Sequence, residues 1–169
     1  MPITRLNHAV LYVRDAEVSA RFYADALGFR RVASMPGAVF LQAPASTNDH
    51  DLGLFSIGSG AEPSEAGRRT VGLYHLAWEV DTLEELERIA GVLTESGALV
   101  GASDHATTKA LYARDPDGVE FEVSWLVPAE LIDADTEAAK ATIKPLDIAR
   151  EKARYGATRR GGVGVSTPV

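Results

Sequence analysis

LYARDPDGVEFEVSW, residues 111–125, reads as strand, tight turn, strand. Asp115-Pro116-Asp117-Gly118 is the turn: proline presets φ near −65° and glycine accepts a positive φ. Beyond it the alternation of a strand puts Val119, Phe121, Val123 and Trp125 on one face and Glu120, Glu122 and Ser124 on the other. The apolar row can pack against helices. Glu122 then points into whatever the sheet encloses, and a carboxylate there needs a partner, because an unpaired buried charge is very costly. A metal ion is one such partner.

Working outward, the pattern before this hairpin occurs twice. Leu6–Val13 (LNHAVLYV) alternates like a strand, and Leu73–Val80 (LYHLAWEV) matches it, with His8 and His75 at the same register. Each is followed by a helical stretch. Asp15 is the expected N-cap of the first helix, which runs to Leu27 with a stripe of Val18, Phe22 and Ala26 and ends at Gly28. Asp81 is the expected cap of the second, with Glu84 at the capping-box position, a stripe of Leu83, Leu86, Ala90 and Leu93, and an end at Gly97. Three short strands follow each helix. In the first half they are 31–35, 38–43 and 50–57; in the second, 99–103, 109–114 and 119–125. The chain is therefore read as α+β, two tandem βαβββ modules (about 4–58 and 70–127) forming one open, cleft-like barrel, with a linker between them.

Residues 1–127 make up this paired domain, and 128–169 form a C-terminal helical arm and tail. Two helices are expected in the arm, 129–140 and 146–155, separated at Pro145. From Arg159 on, the Gly- and Ser/Thr-rich composition predicts a flexible tail.

Bulk composition excludes several functions. The chain has 169 residues and a formal net charge of −7, which argues against non-specific nucleic-acid binding and anionic membranes. It has no cysteine, so disulfides, thiolate metal sites and a catalytic thiol are excluded. No apolar run reaches membrane-spanning length and the first residues lack a signal-peptide layout, so a cytoplasmic protein is expected. No phosphate-cradling glycine loop or Ser-His-Asp arrangement is present.

His8, His75 and Glu122 make two histidines and one carboxylate, each on an expected strand. That donor set, with positions left open, suits a non-haem Fe(II) that activates oxygen. The repeat gives both histidines the same reason to face a shared cleft. The other histidines among the four of the chain, His50 and His105, can each be read as solvated loop residues, and Tyr112 as a core tyrosine. Glu120 is read as solvent-facing or a hydrogen-bonding support, and Phe22, Trp78 and Trp125 as core.

Residues 4–127 resemble the vicinal oxygen chelate superfamily (glyoxalase/bleomycin resistance/dioxygenase), and within it the extradiol catechol 2,3-type dioxygenases. The resemblance rests on Asp104-His105, Lys109-Ala110-Leu111-Tyr112, Asp115-Pro116-Asp117-Gly118 and Glu122. It implies that His8, His75 and Glu122 bind Fe(II), with Mn(II) as the other candidate. It also implies that Tyr112 and His105 hydrogen-bond the oxygens of a catechol-type substrate, and that His50, beside Asp51, acts on oxygen. The implied reaction is insertion of O₂ next to the diol, opening the ring to a semialdehyde. Two departures stand out. Val119 replaces an asparagine often found after the turn, and the chain has only one module pair, so part of the pocket wall is expected from the tail or from a second subunit of a homo-oligomer. The same fold also hosts glyoxalase-type isomerases, which typically use a second carboxylate from the last strand of the first module, where only Asp51 is offered. It hosts non-catalytic drug-binding proteins as well.

Overall fold

The computed structural model describes residues 2–3, 5–66 and 69–162. It divides into two compact units, Met1–Glu65 with Asp115–Val119, and Ala66–Arg114 with Glu120–Val169. The class is α+β, as expected, and each unit repeats the order β-α-β-β-β.

In the first unit the elements are β1 (Ala9–Val13), α1 (Ala16–Leu27), β2 (Arg30–Met35), β3 (Ala38–Gln42) and β4 (Leu52–Ser56). The sheet order is β1-β4-β3-β2, with β1 parallel to β4 and the other pairs antiparallel. The pleat sends Leu11, Val13, Val39, Leu41, Leu52 and Leu54 into the core, while Val10 and Tyr12 on the other face of β1 are exposed. Helix α1 packs on β3 and β4. Asp15 caps it as expected, its Oδ1 accepting from the Glu17 and Val18 amides at 2.8 and 3.3 Å. Gly28 closes it with φ 74°.

The buried face of α1 differs from the expected stripe. Ser19, Tyr23 and Ala26, with Ala16, Ala20 and Leu27, face the sheet; Val18 is exposed and Phe22 half-buried. The stripe is rotated because Tyr23 has a polar destination. Its hydroxyl donates to Asp115 Oδ2 at 3.3 Å, so an amphipathic side chain is preferred inside over a smaller apolar one.

The 115–119 turn is bound within this unit. Asp115 Oδ1 accepts from the amides of Asp117 and Val119, both at 2.9 Å, and Gly118 has φ 81°. The turn is thus held through the backbone of residue 119, so the valine there takes nothing from it. Asp117 receives the Arg14 guanidinium at 2.8 Å and the Arg14 amide at 3.1 Å.

The second unit contains β5 (Leu76–Glu79), α2 (Leu83–Glu95), β6 (Leu99–Asp104), β7 (Thr108–Arg114), β8 (Glu120–Leu126), α3 (Ala134–Ala138), β9 (Lys144–Pro145) and α4 (Ile148–Tyr155). Its sheet order, β5-β8-β7-β6-β9, repeats the first sheet and adds an edge strand. Burial along β8 follows the expected alternation from Glu120 to Val123, with Phe121 and Val123 buried and Glu120 and Glu122 partly exposed; beyond it Ser124 is buried as well as Trp125. Trp78 is half-buried rather than core.

Three expectations are corrected here. The cap of α2 is Thr82, one residue later than Asp81; its side chain accepts from the Glu85 amide at 3.2 Å. The helix expected over 129–140 is broken into a 3₁₀ turn at Ala129–Leu131, α3, and a second 3₁₀ turn at Ala139–Ala141. Pro145 sits in β9, where an edge strand tolerates a missing donor. Of the tail expected to be flexible, Arg159–Gly162 is docked: the Trp125 indole donates to the Arg159 carbonyl at 3.1 Å and the Gly161 amide to the Asp81 carbonyl at 2.9 Å. A Cβ on Gly161 would lie 1.9 Å from the Leu126 carbonyl oxygen, so glycine here serves close approach rather than looseness. Residues 163–169 lie outside the described residues. No helix among the described residues is long and apolar enough to cross a membrane.

Candidate active site

In the second unit, His75 stands one residue before β5 and Glu122 in the middle of β8. Parallel pairing of these strands sets Ala77 beside Glu122, and antiparallel pairing sets Tyr112 on its other side. The result is a contiguous cluster. His75 Nε2 lies 3.3 Å from Glu122 Oε2, the rings of His75 and Tyr112 are 5.9 Å apart, and His105 Nε2 is 2.9 Å from the Tyr112 hydroxyl. Gly101 lies opposite Tyr112 and Ala110 opposite Ser124. Glu120, on the same face, is 3.5 Å from Arg114.

Burial raises the pKa of Tyr112, and the Glu122 charge and the nearby Tyr74 hydroxyl raise it further. Its hydroxyl therefore stays protonated at neutral pH and is a donor, available to His105 Nε2 or to Glu122. His75 Nδ1 is buried with no hydrogen-bond partner. An imidazole with one nitrogen facing a carboxylate and the other enclosed is chemically able to act as a metal ligand.

His8 and His50 belong to the first unit. Like His75, His8 stands one residue before its strand. The His8 and His50 rings lie 4.5 Å apart, Phe40 is edge-on to His50 at 5.2 Å, and His8 Nδ1 is 2.8 Å from Asn7 Oδ1. His50 precedes β4 rather than lying in it, with Nδ1 3.1 Å from Asp49 Oδ2. The His50 amide and ring hold the Asp49 carboxyl below its ordinary range. Asp51 accepts from the Ala43 amide and the Ser46 hydroxyl, both at 2.8 Å, and from the Asn48 side chain at 2.7 Å, which makes it a clasp of this loop.

The sequence reading expects six residues at one site; the structure places His75, Glu122, Tyr112 and His105 in one unit and His8 and His50 in the other. The sequence reading overlooked Asn7, Asp49 and Tyr74, whose ring lies 4.6 Å from that of His75. Only adjacency in sequence to a chosen histidine marked them. Among the described residues, no group of three or more His, Asp or Glu side chains stands close enough to hold a metal ion.

A model of the Glyoxalase/Bleomycin resistance protein/Dioxygenase superfamily matches residues 5–123. The catechol-2,3-dioxygenase of Bacillus subtilis (strain 168) is 30% identical over 120 residues, covering 71% of this chain and 41% of that protein. Biphenyl-2,3-diol 1,2-dioxygenase 3 of Rhodococcus globerulus is 33% identical over 133 residues, covering 76% of this chain and 68% of that protein. The chain therefore spans less than half the length of the first of these relatives. A crystal structure of a glyoxylase/bleomycin resistance protein/dioxygenase domain from Frankia sp. EAN1pec superposes with a TM-score of 0.62 at 21% identity, covering 75% of this chain and all of that one.

Proposed function

This chain belongs to the glyoxalase/bleomycin resistance protein/dioxygenase superfamily, and on that footing we propose that it is an extradiol ring-cleaving dioxygenase acting on a catechol-type diol. The observation that carries the reading is the cluster of the second unit. A histidine and a carboxylate face each other at 3.3 Å, and one strand over, a protonated tyrosine is hydrogen-bonded to a second histidine. Relatives named catechol-2,3-dioxygenase and biphenyl-2,3-diol 1,2-dioxygenase match 71% and 76% of this chain. The engagement of Asp51 by three donors counts against a glyoxalase-type site, which would need a free carboxylate from that part of the first module.

The donors His75 and Glu122 fit a cation that favours neutral imidazole and carboxylate together, and His8 is the third donor of the proposed set. Bound there, Fe(II), or Mn(II) in its place, would supply a meeting point for both catechol oxygens and O₂ and a path for electrons between them.

The chain's own groups do the rest. The Tyr112 hydroxyl accepts the proton that the diol gives up while passing its own to His105 Nε2, 2.9 Å away, and the renewed Tyr112 O–H then donates to the substrate oxygen left behind. His50 is the group proposed to donate to oxygen.

The test is oxygen-electrode uptake with the visible spectrum, on Fe(II)-loaded protein and a panel of substituted and bicyclic catechols. One-for-one consumption of O₂ and substrate with a yellow ring-opened semialdehyde is expected. Protein that ignores O₂ with every catechol, yet isomerises a hemithioacetal, would overturn the proposal and leave the fold intact.

A further inference from the structure

Lys109 is 1% exposed and stands opposite Trp125 in the β7–β8 ladder, on the helix-packed side of the sheet. An ammonium in such a place must be compensated. Its Nζ lies 2.5 Å from Asp104 Oδ1 and 3.0 Å from Glu151 Oε2. Glu151 is itself 1% exposed and comes from α4, in the arm. Arg150 spans both carboxylates, 3.5 Å from Asp104 and 3.0 Å from Glu151. Two cations and two anions thus balance at the base of one short connection, residues 104–108.

That connection carries His105. Asp104 Oδ1 also accepts from the Ala106 amide at 2.8 Å, and Ala106 has φ 65°, a left-handed conformation unfavourable for a residue with a Cβ. The His105 amide donates to the Thr108 carbonyl at 2.9 Å and the Thr107 amide to the His105 carbonyl at 2.8 Å. The strained turn persists because its surroundings over-determine it, and it aims His105 Nε2 at the Tyr112 hydroxyl.

We propose that Asp104, Lys109 and Glu151 are positioning residues. The buried charges hold the left-handed turn, the turn presents His105 to Tyr112, and the C-terminal arm thereby takes part in the site through Glu151. The claim that this matters for turnover rests on the dioxygenase reading; the claim that it orients His105 does not.

The experiment uses the full chain and the variants Glu151→Gln and Asp104→Asn, with two readouts. The ¹⁵N shifts of the His105 imidazole report its tautomer and its hydrogen bond without any activity. Steady-state kinetics with a catechol report kcat and KM. In both variants the His105 signals should move to those of a freely tautomerising ring, and kcat should fall on the order of 10–100-fold with KM changed less than about threefold, as for a misplaced group. Glu87→Gln is the control, since Glu87 also ties α4 down, through Lys152, but touches nothing in the turn; it should leave both readouts unchanged. If either variant fails to fold, the other decides. Wild-type His105 shifts in a folded variant would overturn the proposal, as would equal shifts in Glu87→Gln. A wild-type protein inactive on every catechol would sink the dioxygenase reading alone, with the imidazole shifts still deciding the positioning.

Discussion

Asp115 is a turn residue that also carries a buried charge. Burial pushes its pKa up, and the Asp117 carboxylate adds to the shift against hydrogen bonds from the Val119 and Asp117 amides and from Tyr23, which pull it down; the net direction is upward. The sign follows from linkage. With the folded pKa above the unfolded one, about 3.9 for aspartate, the folded state binds more protons in between, so stability falls as pH rises through that window. Asp115→Asn keeps an acceptor oxygen for the two amides and stays neutral. Its stability relative to wild type should therefore improve as pH is raised from about 4 toward neutrality, read from urea midpoints across pH. A pH-independent difference would show that the carboxylate is not penalised by its surroundings. Tyr23, the partner of Asp115, is itself raised well above the ordinary tyrosine value by burial first and by the Asp115 charge second, so it remains a donor.

At the scale of elements, the caps are set by geometry that side-chain identity only narrows. Asp81 and Thr82 are both good N-cap residues, and only one of them can have the extended backbone next to the first helical turn. Thr82, with φ −138° and ψ 155°, has it. The carbonyl of Asp81 is used instead, by the Trp125 indole and the Gly161 amide, and its side chain lies 3.4 Å from Arg160. Thr82→Ala should cost about 1 kcal/mol of stability. Asp81→Ala should cost less than about 0.5 kcal/mol, as befits an exposed ion pair. Chemical denaturation of the two variants side by side checks the assignment; the reverse order would move the cap back to Asp81. The same reasoning explains α1, whose buried face is chosen by where Tyr23 can place its hydroxyl rather than by summed hydrophobicity.

For the molecule as a whole, the central expectation is metal dependence. The proposed donors His8, His75 and Glu122 are two neutral imidazoles and one carboxylate, leaving a divalent cation with a net positive charge that attracts a catecholate. Glu122→Ala removes the single anionic donor. Elemental analysis after anaerobic loading with Fe(II) and desalting should find wild type close to one metal per chain and the variant strongly depleted, whatever the activity. Stoichiometric metal in Glu122→Ala would strike Glu122 from the donor set.

The sequence by itself determined what depends on neighbours along the chain. Strand alternation in 119–125, the Asp-Pro-Asp-Gly turn, the Asp15 cap with its Gly28 stop, and the matching registers of His8 and His75 follow from local periodicity and turn chemistry, and from them came the twofold βαβββ plan. The separations within the site also followed in part, because Tyr112 and Glu122 are cross-strand neighbours once the turn is placed. Tertiary structure decided what depends on distant segments. Lys109 alternates in β7 like any strand residue, and nothing local shows that Glu151 will bury it. Gly161 reads as loose chain until the Leu126 carbonyl is found where a Cβ would be. Val18 and Tyr23 compete for the inner face of α1, and the winner is set by Asp115, whose turn lies far along the sequence. Period and propensity are short-ranged. Burial, charge compensation and close approach are settled only when remote parts of the chain meet.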